Sequence, residues 1–203
     1  MFFEEINAQF YTSEQIEKIK KAHIAIAGAG GLGSNCAAAL VRAGFVNFTL
    51  IDFDIVTPAN LNRQFYFFEQ IGEKKVEALA KNLQKINPNL NLSLFCEKIS
   101  KDNVDNFFGE ADIVVEAFDK AESKALIAEK FLLDEKPFIC ASGIAGFLDS
   151  DRLKVRAIGK KSWIIGDEKT DVKNNPPLAP AVFISAAKQA NKVLEIVLAN
   201  PIN

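Results

Sequence analysis

The chain has 203 residues, 24 Lys+Arg against 26 Asp+Glu, 49% apolar residues, three cysteines and one histidine. A formal charge of −2 supplies no basic field of the kind that holds phosphate backbones or anionic lipid, so neither a nucleic acid nor a membrane is an expected partner. Cys36, Cys96 and Cys140 lie too far apart for a CxxC zinc pair and are odd in number, and His23 is the sole histidine, so the chemistry must rest on Asp, Lys, Arg and backbone amides.

The opening segment MFFEEINAQF carries Glu4 and Glu5 where a secretory signal carries basic residues, and a cytoplasmic protein is the expectation. A polar helix over 13–21, with Ser13 as its N-cap, leads into a buried strand over 23–27. A glycine-rich turn follows, then a helix over 32–43 that ends at Gly44. A second strand spans 47–52, and a polar segment over 53–70 leads to a helix over 73–86, closed by Asn87-Pro88. Leu90, Leu92 and Leu94 alternate as in a strand. A short helix near 102–107, a strand over 112–117, a helix over 121–134 and a strand over 137–142 complete the alternation. Runs 152–158 and 161–165 have no helix between them, which predicts an antiparallel pair. A proline-bearing loop over 166–179 precedes a helix over 181–199. Its Ile184, Ala187, Val193, Leu194, Val197 and Leu198 form an apolar face read as core packing, and Lys188, Lys192 and Glu195 make it too polar to span a bilayer. The fold class is therefore α/β: a Rossmann-like, mostly parallel sheet covered by helices, with antiparallel strands at one edge, in a single domain over 1–203.

The turn Gly28-Ala29-Gly30-Gly31-Leu32-Gly33 places GxGxxG between strand and helix, where a phosphate meets free N–H groups and the positive end of a helix dipole. Asp52 stands 19 residues after Gly33, the spacing at which such folds put a carboxylate on ribose hydroxyls. These two features alone point to an NAD-linked oxidoreductase. The following loop changes that expectation, because a dehydrogenase has no need there of an arginine, Arg63, or of the amides Asn60 and Gln64. Arg63 offers a planar fork of donors to phosphate oxygens, Asn60 and Gln64 add neutral hydrogen bonds, and Lys75 opens the next helix as a mobile point charge. Asp119, just past the fourth strand, is a natural Mg²⁺ ligand when a triphosphate supplies further oxygens. Asp54 is either a metal ligand or a cap on local amides. The set describes ATP bound for attack at phosphorus. Cys36, Cys140, Cys96 and His23 are read as structural, and Lys18, Lys20 and Lys21 as a solvated helix face.

GAGGLGSN at 28–35, DFD at 52–54, NLNRQ at 60–64, Lys75 leading to Ile86-Asn87-Pro88, and AFDKAESK at 117–124 occur in order. From Ala22 to about Pro201 the chain resembles the ThiF/MoeB/HesA family of ubiquitin-activating-enzyme-like adenylyltransferases, most of all its shorter ThiF subfamily. The resemblance implies adenylation of the C-terminal glycine of a small ubiquitin-like sulfur carrier protein ending in Gly-Gly, in thiamine biosynthesis, by a homodimer. It also implies that Gly31 and Asp52 bind the nucleotide, Asn60, Arg63 and Lys75 the phosphates, and Asp119 the magnesium. The chain departs from the family in three places. Its arginines are Arg42, Arg63, Arg152 and Arg156, so the arginine that many relatives carry in the N-terminal segment is absent or replaced by Lys18, Lys20 or Lys21. The CxxC pairs of longer relatives are missing, and the loop over 166–179 has no cysteine, which favours adenylation over covalent sulfur transfer. The same residues also suit a nucleotide-binding partner subunit without turnover, or an enzyme that adenylates a tRNA. The acidic balance and short C-terminus weigh against the tRNA.

Overall fold

In the computed structural model, residues 2–199 are described apart from 133, 148 and 172, and the side chains of 2 and 4 are left out. The helices are α1 (Phe2–Asn7), α2 (Ser13–Lys21), α3 (Gly31–Arg42), α4 (Lys75–Ile86), α5 (Ala121–Phe131) and α6 (Ala179–Ala199). The strands are β1 (His23–Ala27), β2 (Asn47–Ile51), β3 (Asn91–Phe95), β4 (Ile113–Glu116), β5 (Phe138–Ala141), β6 (Lys154–Ala157) and β7 (Ser162–Gly166). They form one sheet in the order β3-β2-β1-β4-β5-β7-β6, parallel throughout except for the edge pair β6/β7. The chain runs outward from β1 to β3 on one side; on the other it runs from β4 to β5, on to the edge strand β6, and back to β7 between them. The order therefore reverses between β1 and β4, and ligands of open α/β sheets bind outside the carboxyl ends of strands at such a point.

Alternation along the strands separates two cores. Ile24, Ile26, Phe48, Ile113 and Val115 pack with α3, α4 and α6 on one face. Ala25, Ala27 and Val114 meet Phe107, Phe108, Phe131 and Phe138 on the other. Burial on both faces requires the near-continuous apolar runs seen in β1 and β4. Each fully buried phenylalanine, such as Phe48 or Phe138, contributes about 1.5–3 kcal/mol.

Several local expectations shift. Thr12 rather than Ser13 caps α2: its Oγ1 accepts from the Gln15 amide at 3.3 Å and its own amide donates to Gln15 Oε1 at 2.9 Å, a capping box. The helix expected near 102–107 is a 3-10 turn over Val104–Asn106. Helix α5 ends at Phe131, and residue 133 of the expected longer helix lies outside the described residues. On α6 the buried face is Ala181, Val182, Ser185, Ala186, Gln189, Ala190, Val193, Ile196 and Val197; of the expected residues Val193 and Val197 are on it, Leu194 and Leu198 are partly buried beside it, and Ile184 and Ala187 are off it. The true stripe is wider and includes the polar Ser185 and Gln189, which an apolar-only pattern passes over. Among the described residues no helix is long and apolar enough to cross a membrane.

Candidate functional site

The glycines of the turn divide by what surrounds them. A Cβ on Gly28, whose φ is +106°, would meet the Ala117 backbone at 2.8 Å, and one on Gly33 would lie 1.8 Å from the Gly28 carbonyl oxygen. These two glycines pack the turn against β4 and against itself. A Cβ on Gly31 would press on Val182 at 2.9 Å and approach Arg63 Cγ at 3.6 Å. Gly30 alone faces open space, with Gln64 Nε2 the nearest group at 3.8 Å. The sequence motif assigns phosphate approach to the later glycines as a group; the fold leaves that opening over Gly30.

Asp52, just beyond β2, is 6% exposed, and both its oxygens face backbone amides: Oδ2 accepts from Ala29 at 2.7 Å and Oδ1 from Asp54 at 2.8 Å. Burial raises its pKa above the usual carboxylate value, against the opposing effects of Lys75 and the two amides. Asp54 Oδ2 accepts from Lys75 Nζ at 2.9 Å, and the Lys75 amide donates to the Asp54 carbonyl at 2.9 Å. The expectation of Lys75 as a mobile charge is therefore corrected. Its side chain is 7% exposed and held by Asp54, because α4 packs its first turn against the loop after β2.

Two short 3-10 turns, Pro58–Asn60 and Phe68–Gln70, organise the polar segment after β2. Asn60 Oδ1 accepts from the Thr57 amide at 2.9 Å, so Asn60 closes its own turn, and the Asn60 carbonyl accepts from Gln64 N at 2.9 Å. Arg63 and Gln64 are fastened from both sides. Asn35 Nδ2 donates to the Arg63 carbonyl at 2.9 Å, Ser34 Oγ accepts from Phe65 N at 3.0 Å, and Asn82 Nδ2 donates to the Phe65 carbonyl at 2.8 Å. Asn82 and Gln70 also exchange two amide hydrogen bonds at 2.9 and 3.0 Å. Arg63 Nη1 donates to Asn62 Oδ1 at 2.8 Å and more weakly to the Ala59 carbonyl at 3.3 Å. Among the described residues Arg63 has no carboxylate partner, and Gln64 Oε1 is buried without a hydrogen-bond donor. An arginine whose methylenes pass Gly31 and whose guanidinium has no acidic partner among the described residues, together with an acceptor on Gln64 that lacks a donor, suits a ligand bearing both phosphate oxygens and hydroxyl donors.

The loop after β4 closes the other side. Asp119 is exposed and has no hydrogen-bond or ion-pair partner among the described residues. Lys120 Nζ lies 5.5 Å from the Phe53 ring centroid and so reaches the loop after β2. Glu116, at the end of β4, is 1% exposed; Oε1 accepts from Phe118 N at 2.7 Å, and Lys124 Nζ lies 3.2 and 3.1 Å from its two oxygens. Lys124 also donates to the Ala141 carbonyl at 2.8 Å, tying α5 to β4 and β5 around the Asp119 segment. Ser34, Asn35, Asn82, Glu116 and Lys124 are the supports that sequence reasoning missed; Ser34, Asn35 and Lys124 lie inside the GAGGLGSN and AFDKAESK motifs, but nothing local in them discloses their partners.

The structural readings of cysteine and histidine agree with their surroundings. Cys36 and Cys140 are buried, and burial pushes both thiols up to about 12, far from a reactive thiolate. His23 Nε2 pairs with Thr49 Oγ1 at 2.9 Å at the amino end of β1, on the sheet edge away from the glycine turn. Among the described residues no group of three or more His, Cys, Asp or Glu side chains could hold a metal.

Beyond β7, Asp167 pins the loop that lacks a cysteine. Burial raises its pKa, but hydrogen bonds from the Thr170 hydroxyl and amide, the Lys169 amide and Arg152 outweigh it and hold the carboxyl well below the usual range. A depressed folded-state pKa gives stability that is present above the unfolded value, about 3.9, and lost as pH falls through the folded value. Asp167→Asn is therefore expected to be less stable than wild type at neutral pH and to lose less stability on acidification below about pH 4. Acid titration followed by fluorescence of Trp163, the one tryptophan, on β7, checks this; equal acid sensitivity would contradict it.

A model of the ThiF family matches residues 3–200. By sequence the chain is 30% identical over 155 residues to the tRNA threonylcarbamoyladenosine dehydratase of Escherichia coli (strain K12), covering 75% of this chain and 58% of that protein. It is 36% identical over 124 residues to ubiquitin-like modifier-activating enzyme 5 of Bombyx mori, covering 55% of this chain and 31% of that protein. The chain thus spans less than two thirds of the length of either relative. Among solved structures, the E. coli tRNA N6-threonylcarbamoyladenosine dehydratase in complex with ATP matches with a TM-score of 0.87 at 22% identity, over 96% of this chain and 93% of that one. E. coli MccB with ATP matches at 0.71 and 23% identity, over 90% and 57%. At these identities the structural likeness establishes the fold. With the family match running along nearly its whole length, the chain belongs to the ThiF family.

Proposed function

We propose that the protein activates a carboxylate by ATP-dependent adenylation, and that its substrate is the C-terminal glycine of a small ubiquitin-like sulfur carrier protein of the kind used to make the thiazole of thiamine. The observation that carries this is Arg63, seated against Gly31 and without an acidic partner among the described residues, at the carboxyl end of the sheet where its order reverses. In this reading Gly30 and Gly31 approach the phosphates, Arg63, Lys75 and Asn60 hold them, and Gln64, Asp52 and Asp54 border the nucleotide. Asp119 would hold Mg²⁺ together with phosphate oxygens, an arrangement its exposed, unpaired carboxylate suits, and the ion would offset the charge of the leaving pyrophosphate.

The substrate carboxylate is ionised at neutral pH. Its oxygen forms a bond to the α-phosphorus while the bond to the bridging β-oxygen breaks, and pyrophosphate leaves with that electron pair. Neither a general base nor a general acid is needed, so positioning and charge neutralisation are the main catalytic tasks. The step calls on neither Cys36 nor Cys140, whose buried thiols are held protonated. A cytoplasmic homodimer of single-domain chains completes the proposal.

A second reading, adenylation of a modified tRNA, is favoured by the identity to the dehydratases. The net charge of −2 speaks against a large phosphate-backbone footprint. ATP–pyrophosphate exchange separates the two. Exchange that requires a carrier ending in Gly-Gly, and is lost when the last glycine is deleted, supports the carrier; exchange stimulated only by threonylcarbamoyladenosine-bearing tRNA replaces it.

A further inference from the structure

Tyr66 lies two residues beyond Gln64, and its ring is buried at 5% exposure. Its hydroxyl donates to the Ala29 carbonyl at 2.6 Å, and the Lys75 carbonyl lies 3.3 Å from the same oxygen. The short contact marks Ala29 as the principal acceptor. Burial raises the phenol's pKa well above its ordinary value, with the Asp52 charge adding to the effect, so the group stays a donor across the physiological range.

This contact fixes one particular peptide plane. The Ala29 carbonyl belongs to the peptide that supplies the Gly30 N–H, and in a trans peptide the two point in opposite directions. Holding the carbonyl on Tyr66 therefore turns the Gly30 N–H to the opposite side of the peptide, away from the phenol. The preceding peptide is held as well, since the Ala29 N–H donates to Asp52 Oδ2 at 2.7 Å. The Gly30 N–H itself has no acceptor among the described residues. Glycine at positions 28, 30 and 31 gives this stretch unusual freedom, and a free turn would lose that freedom on each binding event. The hydroxyl lies at the junction of three elements: the turn after β1, the loop after β2 and the first turn of α4.

We propose that Tyr66 is a positioning residue for ATP: its hydroxyl sets the orientation of the Ala29–Gly30 peptide so that the Gly30 N–H is presented to a phosphate before the nucleotide arrives. The proposal rests on the ATP reading of the site. Tyr66→Phe removes the hydroxyl and leaves the ring in its cavity, so the fold persists and Trp163 fluorescence reports it. Affinities of the wild type and of Tyr66→Phe for Mg-ATP and for adenosine are compared by calorimetry. ATP affinity is expected to fall about tenfold, as for one lost hydrogen bond with its misplaced donor, while adenosine affinity changes less than about twofold. Equal losses for ATP and adenosine would assign Tyr66 a merely structural role, and no loss for either would remove the proposal. Failure of the wild type to bind Mg-ATP overturns the ATP reading itself and the proposal with it, and is distinguished from the other outcomes by the wild-type arm alone.

Discussion

Arg63→Ala and Lys75→Ala are each expected to slow carrier-dependent ATP–pyrophosphate exchange by roughly 10²–10³-fold, on the order of 3–4 kcal/mol of transition-state stabilisation, as for loss of one preorganised donor. The two losses arise differently. Arg63 has no carboxylate partner among the described residues, so its removal takes away a charge without stranding another. Its segment remains held through backbone carbonyls and amides by Ser34, Asn35 and Asn82, and the fold is expected to survive. Lys75 is shared with Asp54 at 2.9 Å, so part of its charge is already offset before a nucleotide binds. Its alanine variant releases Asp54, whose side chain is 44% exposed and can be hydrated, so stability falls far less than activity. Asp54→Asn provides the control: it frees the ammonium and should preserve most exchange activity, unlike Lys75→Ala. The measurement is kcat and KM for ATP in the exchange assay, beside a urea melt. Unchanged exchange in both Arg63→Ala and Lys75→Ala would overturn the assignment of the phosphate site.

Removing Lys124 is expected to produce the largest loss of stability. In Lys124→Met the carboxylate of Glu116, 2% exposed at its side chain, is left buried without its cation, at a cost of about 3–5 kcal/mol. The pH dependence identifies the cause. Burial raises the pKa of Glu116, with Lys124 the largest opposing influence, so removing Lys124 raises it further. A carboxyl whose folded-state pKa is raised contributes stability that is full below its unfolded value, about 4.3, and lost as pH rises through the folded value. Urea unfolding should therefore show a smaller deficit near pH 5 than near pH 8. The double variant Glu116→Gln/Lys124→Met removes the stranded charge and should recover most of the loss and flatten the pH profile. A deficit independent of pH would mean that the lost contact to the Ala141 carbonyl, and not the ion pair, carries the effect.

The glycine turn, the order of strands and helices and the polar set after β2 were legible because each is written locally. Strand and helix periods repeat within a few residues, Pro88 and Gly44 stop helices where they stand, and GxGxxG is contiguous. The antiparallel edge pair β6/β7 could be inferred from the absence of an intervening helix. The candidate site residues could be named because they cluster in sequence at carboxyl ends of strands. Short 3-10 turns over Pro58–Asn60 and Phe68–Gln70 were not found, since amide side chains of Asn60 and Gln70 close them and apolar periodicity does not register such bonds.

What the sequence by itself determined was the α/β class, the position of the glycine turn and the identity of the polar residues near it. Only the tertiary structure decided which glycine is open, that Lys75 is held by Asp54 and that the Tyr66 hydroxyl donates to the Ala29 carbonyl. It also decided that Glu116 is buried against Lys124. Each of these depends on one group meeting another across the sheet or between loops. Such pairings follow from packing geometry and the need to satisfy buried polar groups, and a single chain read along its length carries no record of which distant residue supplies the partner.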